Sequence, residues 1–179
     1  MNTFIIFDTE FTSWKDSLKN GWDTEKGHFR ELVQLAALKV NGQNLHVVDT
    51  FNAYAKPLKN PALSEYFKNL TGITQEDVDD ANPPHKVISD FLEWCTNSYC
   101  YSYGRDIEIL KENTVNTEVV IPENKFIDIK PFFENRGVPT DVYGSGKLHD
   151  FFNIKMGGHE HNALFDTKSI LKSIQATLK

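Results

Sequence analysis

The apolar and polar residues of the chain follow two periods, one typical of strands and one typical of helices. The first apolar run covers residues 4–7 and leads directly into Asp8 and Glu10. A continuous run of this length predicts a strand that is buried on both faces. Side chains two apart on a strand share a face, so the two carboxylates are predicted to point the same way at the strand's end.

Two more stretches, residues 32–40 and 45–55, have the composition of strands, and Asn41-Gly42 between them is a hairpin turn signal. We therefore predict that the first three strands form an antiparallel meander. Residues 12–30, between the first two strands, are polar and follow neither period. A connection of that length is uncommon inside a compact domain and is often functional.

The rest of the chain predicts helices interleaved with short strands. Thr74 and Asp77 carry a helix-capping signature, and Pro84 suits the first turn of a helix. The predicted helices lie near residues 62–70, 84–95, 106–110, 147–152 and 161–178. A short strand is predicted at residues 99–103, and a short strand or helix start at 126–129. With no repeat or linker, this pattern predicts one α/β domain over residues 1–179, a central mixed sheet flanked by helices.

Composition and charge narrow the classes of function. A chain of 179 residues can bury a core without disulfides, and its two cysteines match no zinc or CxxC spacing. We see no signal sequence or membrane-spanning run, so we expect an intracellular, cytoplasmic protein with no membrane partner. The net charge of −6 argues against broad binding of duplexes, which needs a basic surface. Two divalent cations would offset part of that charge.

Asp8 and Glu10 have two candidate partners further along the chain. Asp106 falls in the first turn of a predicted helix, and Asp166 falls in the first turns of the terminal helix. Carboxylates that lie close together repel, so such a site needs a shared proton or a cation, and Mg²⁺ prefers oxygen ligands. Simpler roles also fit: a polar loop after an apolar strand for the first pair, and a helix cap for Asp106.

His161 precedes Asp166 by five residues. Five residues of a regular helix place two side chains about 140° apart around its axis. The two can share a target only if His161 lies on the entry loop, which Gly157-Gly158 just upstream favours. A surface histidine near a helix start is the simpler alternative. His149 and His159 have no comparable context and are predicted to be surface residues.

These residues resemble the three exonuclease motifs of the DEDDh branch of the DnaQ-like 3′–5′ exonucleases, which share the ribonuclease-H-like fold. The motif residues are Asp8-x-Glu10, Asp106 and the stretch from His161 to Asp166. Residues 70–74 and 81–84 are similar to that family's turn and helix between the first two motifs. The resemblance covers residues 4–174.

The Eri-type exonucleases and their bacterial relatives are the most similar members, because of the long loop after the first motif and the run Tyr103-Gly104-x-Asp106-x-x-x-Leu110. Those proteins more often have a Trp before the Gly and one more residue before the Asp. Glu108 is therefore an alternative to Asp106 as the second-motif acid, although the spacing to Leu110 favours Asp106.

The resemblance implies hydrolysis of phosphodiester bonds from the 3′ end of single-stranded nucleic acid, with release of nucleoside 5′-monophosphates. It implies two Mg²⁺ or Mn²⁺ ions per active site and a general base, His161. Phe11 and Thr12 would touch the terminal nucleotide. The implied metal ligands are Asp8, Glu10, Asp106 and Asp166.

The loop of residues 12–30 carries Trp14 and Trp22 among four cations, Lys15, Lys19, Lys26 and Arg30. Aromatic rings beside cations form a platform for unstacked bases. One interpretation is a substrate-gripping lid, in which Trp14 binds a single-stranded 3′ end. The other is a surface loop whose tryptophans pack on the edge of the domain.

Two other functions stay open. One is a module of the same fold that binds nucleic acid or a polymerase without cutting, although a binding module has no need of a metal cluster. The other is a metal-dependent nucleotide phosphohydrolase, which the acidic composition permits. Because the motifs contact phosphate and sugar rather than the base, they leave the choice between RNA and DNA open.

Overall fold

A computed structural model describes residues 3–96 and 98–178. Its centre is a five-stranded sheet: β1 Thr3–Phe11, β2 Leu32–Asn41, β3 Val47–Tyr54, β4 Cys100–Ser102 and β5 Phe126–Asp128. The strand order is β3-β2-β1-β4-β5. The first three strands pair antiparallel, whereas β4 is parallel to β1 and β5 is parallel to β4. The predicted mixed sheet with an antiparallel meander is confirmed.

Helices pack on the sheet and on its edges. They are α1 Ser17–Asn20, α2 Glu65–Thr71, α3 Gln75–Asp79, α4 Pro84–Cys95, α5 Asp106–Glu112, α6 Lys130–Glu134, α7 Leu148–Phe151 and α8 Ala163–Thr177. Short 3₁₀ turns lie at Thr24–Lys26, Glu123–Lys125 and Ser145–Lys147. No helix of the described residues has the length and apolarity needed to cross a membrane.

Strand β1 is buried on both faces, as its continuous apolar run predicts. Ile5 and Phe7 pack against α4 and α5 on one face, and Ile6 packs against α8 on the other. Because side chains alternate along a strand, Asp8 and Glu10 lie on the same face as Ile6. The strand therefore directs both acids toward the helix that carries Asp166.

The connection between β2 and β3 differs from the predicted two-residue turn. Asn41 is the last residue of β2, and a five-residue loop precedes β3 at Val47. The Asn41 side chain accepts hydrogen bonds from the backbone of Gln43 and Asn44, at 2.8 and 3.3 Å. A side chain that bonds its own downstream backbone favours this wider loop over a tight turn.

The predicted helices form, with shifted ends. Ser64 caps α2, so that helix begins later than predicted, and Thr74 with Asp77 forms the predicted capping box of α3. The terminal helix begins at Ala163, which leaves His161 on the entry loop. Leu178 is 60% exposed and does not continue the buried face of α8.

The prediction of a surface position for His149 is wrong. The residue is buried, and its ring packs edge-on against Phe165 with 5.6 Å between the ring centroids. Its backbone N–H donates to the Ser169 hydroxyl at 3.2 Å. It lies in the short helix α7 that packs on α8. His159 is exposed as predicted.

The segment between β1 and β2 is pinned at its base. The backbone N–H of Thr12 donates to the carbonyl of Glu31 at 2.9 Å, and the Thr12 hydroxyl accepts the Glu31 N–H at 3.0 Å. Trp22 donates its indole N–H to the Thr12 carbonyl at 2.7 Å and packs on Phe11. Trp14 stacks on His28 with 3.9 Å between ring centroids. Both tryptophans therefore have partners within the protein.

Candidate functional site

A cleft of about 240 Å³ lies where β1 ends against α5 and α8. Asp8, Glu10 and Asp166 offer carboxylate oxygens that all lie within 4.8 Å of one another. Asp106 and His161 line the same cleft. The structure thus brings together the four acids and the histidine that the sequence singles out.

Asp106 is held against β1 by the residue between the two strand acids. Its Oδ1 accepts the Thr9 N–H at 3.1 Å and the Thr9 hydroxyl at 2.7 Å. Glu108, the alternative second-motif acid, forms an ion pair with Arg105 and does not line the cleft among the described residues. The geometry therefore favours Asp106 over Glu108.

Asp166 is positioned by the start of α8. The Asn162 side chain caps the helix by accepting the Phe165 N–H at 3.4 Å. Gln34 of β2 is fully buried, and its Oε1 accepts the Ala163 N–H at 3.0 Å. Because Gln34 pairs with Glu10 across the sheet, this bond fixes the helix start relative to the strand acids.

The Ser145–Lys147 turn closes on the Asp166 carboxylate. The Ser145 hydroxyl donates to Oδ2 at 3.0 Å. A Cβ placed on Gly146 would lie 2.7 Å from Oδ1, closer than real Cβ contacts come. Oδ1 itself is buried and accepts no hydrogen bond from the described residues. An unsatisfied buried carboxylate oxygen is costly unless a cation or proton meets it.

Burial raises the pKa of every acid in the cleft, and the charges of neighbouring acids add to this rise. The pKa values of Asp8 and Glu10 lie well above their ordinary values, through burial first and then through the charges of Asp106 and Asp166. Burial raises the pKa of Asp106 to about 6, although the Thr9 hydrogen bonds oppose it. Burial likewise raises the pKa of Asp166 to about 7. The charged forms of these four carboxylates are therefore unfavourable unless a cation binds between them.

This donor set fits a hard divalent cation. Mg²⁺ and Mn²⁺ take oxygen ligands, which the convergent carboxylates supply. A cation here would meet the unpaired Oδ1 of Asp166 and relieve the repulsion that raises the pKa values.

His161 sits at the rim of the cleft in an unusual backbone conformation. Its φ of 60° lies in the left-handed region, which residues other than glycine rarely occupy outside turns and functional sites. The residue keeps solvent contact, yet burial of part of the ring lowers its pKa. A lowered pKa keeps the imidazole neutral, and so able to accept a proton, near pH 7.

The three predicted substrate-binding residues differ in position. Phe11 lines the cleft, whereas Thr12 and Trp14 are not among its described lining residues. Thr12 is 3% exposed, and its N–H, hydroxyl and carbonyl all bond within the protein. Its side chain closes the base of the loop, and its contact with the terminal nucleotide stays a prediction.

Several residues that line or support the cleft were missed by the sequence reasoning. Gln34 could have been found, because it is the one polar residue in the run of residues 32–38 and a buried amide needs a partner. Leu70 and Tyr103 fall in stretches that resemble the family, but those stretches do not reveal that the two residues line the cleft. Ser145 and Gly146 carry no local signal, since only the folded chain brings them to the acids.

A family model described as Exonuclease matches residues 5–174. The ERI1 exoribonuclease 2 of Danio rerio is 34% identical over 90 residues, which are 50% of this chain and 15% of that protein. The PolC-type DNA polymerase III of Bacillus subtilis (strain 168) is 29% identical over an alignment of 187 residues, covering 99% of this chain and 11% of that protein. The chain thus spans about a seventh or less of the length of these curated relatives.

A solved structure has the same architecture. The nuclease domain of 3′hExo, a DEDDh family member, bound to rAMP, matches with a TM-score of 0.83 at 23% identity, covering 99% of this chain and 92% of that chain. This likeness confirms the predicted ribonuclease-H-like fold.

The raised pKa values predict how the metal-free protein responds to pH. Below about pH 4, a carboxyl whose pKa is raised in the folded state is protonated in both the folded and the unfolded state. It therefore adds no pH dependence to folding stability in that range. Between about pH 4 and 7 the unfolded chain releases protons that the folded site retains, so folding stability falls as pH rises. Thermal unfolding in a chelator should show this fall. Asp8→Asn should reduce it, and an unchanged slope in that variant would contradict the prediction.

Gly146→Ala tests the close approach to Asp166. The new Cβ would displace the carboxylate or the turn, so the affinity for Mg²⁺ should fall by roughly 10- to 100-fold, as for other groups that orient a ligand. Gly144→Ala is the matched control, because nothing lies within 4 Å of its Cβ position. Titrating Mg²⁺ against melting temperature measures both variants. Equal responses would mean that the turn does not set the carboxylate's position.

Proposed function

Because the chain belongs to the exonuclease family, as a DnaQ-like 3′–5′ exonuclease, we propose that it removes nucleotides from the 3′ end of single-stranded nucleic acid and releases nucleoside 5′-monophosphates. The observation that carries the proposal is the meeting of Asp8, Glu10 and Asp166 within 4.8 Å, beside Asp106 and His161 in one cleft. A binding module has no need of four acids gathered in one cleft, where burial first and neighbouring charges second raise their pKa values.

The four acids would hold two divalent cations, Mg²⁺ or Mn²⁺. Asp8, whose pKa is raised by burial and then by the charges of Asp106, Asp166 and Glu10, would hold the cations together with those three acids. Bound there, the cations would offset the charge of the scissile phosphate and the departing 3′ oxygen and make water easier to deprotonate.

His161 would act as the general base. Its neutral ring would accept a proton from the attacking water, which then adds to phosphorus as the bond to the 3′ oxygen breaks. His161 has a left-handed backbone on the loop just before α8, and it lines the same cleft as Asp166. His161, the helix cap Asn162 and Asp166 follow one another within one short stretch. This arrangement supports a general base and a metal ligand that act on the same phosphate.

Recognition of the 3′-terminal nucleotide would fall to the apolar side of the cleft. Phe11 lies next to the acids on β1, and Leu70 and Trp22 complete this wall. Rings of this kind stack on or wedge against a base without reading its identity. Trp14 is the third predicted contact; its ring already stacks on His28, so a base would have to displace or extend that stack.

A 5′-labelled single strand incubated with Mg²⁺ tests the proposal. The products should form a ladder that shortens from the 3′ end, because the label marks the opposite end. Asp8→Ala should abolish the ladder and most of the Mg²⁺-dependent rise in melting temperature, whereas Asp141→Ala, an exposed acid, should retain both. Metal-dependent binding without a ladder would indicate a non-catalytic module, and cleavage of free nucleotides alone a phosphohydrolase. Matched RNA and DNA strands would decide the sugar preference.

His161→Asn tests the general base, since asparagine tolerates the left-handed backbone. Its rate should fall by roughly 10²- to 10⁴-fold with Mg²⁺ binding retained. Wild-type activity should decline as the pH falls through the lowered pKa of His161, because the protonated ring cannot accept a proton. With Mg²⁺ saturating the acids at each pH, this decline should be absent in the variant, and His46→Ala, an exposed histidine, should match the wild type. A near-normal rate in His161→Asn would assign the proton to another group.

A further inference from the structure

A larger groove of about 680 Å³ lies beside the cleft. It is walled by the segment of residues 12–30, by the loop at Leu58 and Lys59 and by the end of α5. Trp22 lines both the cleft and the groove. Its indole is fixed by the hydrogen bond to the Thr12 carbonyl and by packing on Phe11, with 5.6 Å between the ring centroids. A single ring therefore separates the acids from the groove.

The groove continues away from the acids. A further depression of about 690 Å³ shares His85, Asn116 and Thr117 with it. His85 lies in the first turn of α4, and the other two residues follow α5. A chain that leaves the cleft past Trp22 thus has a continuous recessed path over the surface.

The groove offers rings and cations together. The Lys59 ammonium lies 3.9 Å from the centre of the Phe29 ring, and the Arg30 guanidinium lies 5.7 Å from the centre of the Trp22 ring. Rings that stack on bases beside cations that meet phosphates form the usual surface for single-stranded nucleic acid.

The acids of the groove are already engaged. The Glu31 carboxylate accepts the backbone N–H groups of residues 58, 59 and 60 at 2.6–2.8 Å, and Glu112 pairs with Arg30. Lys59 is exposed and forms no ion pair with the described residues. In a chain of net charge −6, this surface offers a phosphate the Lys59 ammonium, on a backbone segment that the Glu31 bonds fix.

We propose that this groove binds the nucleotides on the 5′ side of the scissile bond in a single strand, an inference that rests on the proposed function of the cleft. Lys59 contacts a backbone phosphate, and the rings of Phe29 and Trp22 stack on bases. A duplex fits this surface less well, because the faces of paired bases are covered by their neighbours and do not reach the rings.

Lys59→Glu, with Lys172→Glu as the matched control, tests the groove. Lys172 is an exposed lysine on α8 and does not line the groove among the described residues, so both variants change the net charge equally. For a long single strand, Lys59→Glu should raise KM several-fold, and the ratio of this KM to that of a dinucleotide should rise. We would measure the affinity for the strand in Ca²⁺ and plot log affinity against log salt concentration. For Lys59→Glu the slope should become shallower by roughly 0.7, because one phosphate contact is lost. The control should show neither change.

A strand that carries a photoreactive base a few nucleotides from its 3′ end adds a direct measurement. Crosslinks should map to residues 22–30 or 58–59. If the two lysine variants behave equally, or if the crosslinks map elsewhere, the groove does not bind the strand. Hydrolysis of the dinucleotide in the same experiment would still support the proposed function. If neither substrate is hydrolysed, the proposed function fails, and the binding and crosslinking results still decide whether the groove holds a strand.

Discussion

The structure depends on four carboxylates that the backbone forces into one buried place. Asp8 and Glu10 cannot separate, because they share one face of a strand that pairs with β2 at both positions. Asp106 and Asp166 arrive on helices whose apolar faces pack on the same sheet. The repulsion among these groups is therefore a cost that packing elsewhere must offset, and a bound cation removes it.

Long-range hydrogen bonds carry this arrangement. Thr9 and Asp106 are 97 residues apart in the chain, and Gln34 and Ala163 are 129 apart. Each bond joins the antiparallel meander to a later helix, so the site forms only once both parts of the chain have folded together. A change in Gln34 would act on metal affinity without touching the metal, because it would release the start of the helix that carries Asp166.

The sequence predicts the parts of the site that depend on local periodicity. Strand period places Asp8 and Glu10 together, and a helix start after a short strand places Asp106; the entry loop that His161 needs is also present. The resemblance to the DnaQ-like exonucleases is confirmed at the level of family and fold. What the sequence does not reveal is set by contacts between distant segments. The burial of His149 against Ser169 and the closure of Ser145 on Asp166 both require the packing of α7 and its preceding turn on α8.

The segment of residues 12–30 shows why composition alone left two interpretations open. Tryptophans beside cations suit a base-stacking lid, but they suit intramolecular packing equally, since a protein ring and a base offer similar faces. The structure separates the two tryptophans: Trp14 stacks on His28, whereas Trp22 stands between the cleft and the groove. Because Thr12 and Glu31 close the base of the segment with two hydrogen bonds, Trp22 is held before any substrate arrives. In the proposed groove, a wall fixed in advance would spare a bound strand the entropy of ordering a loop.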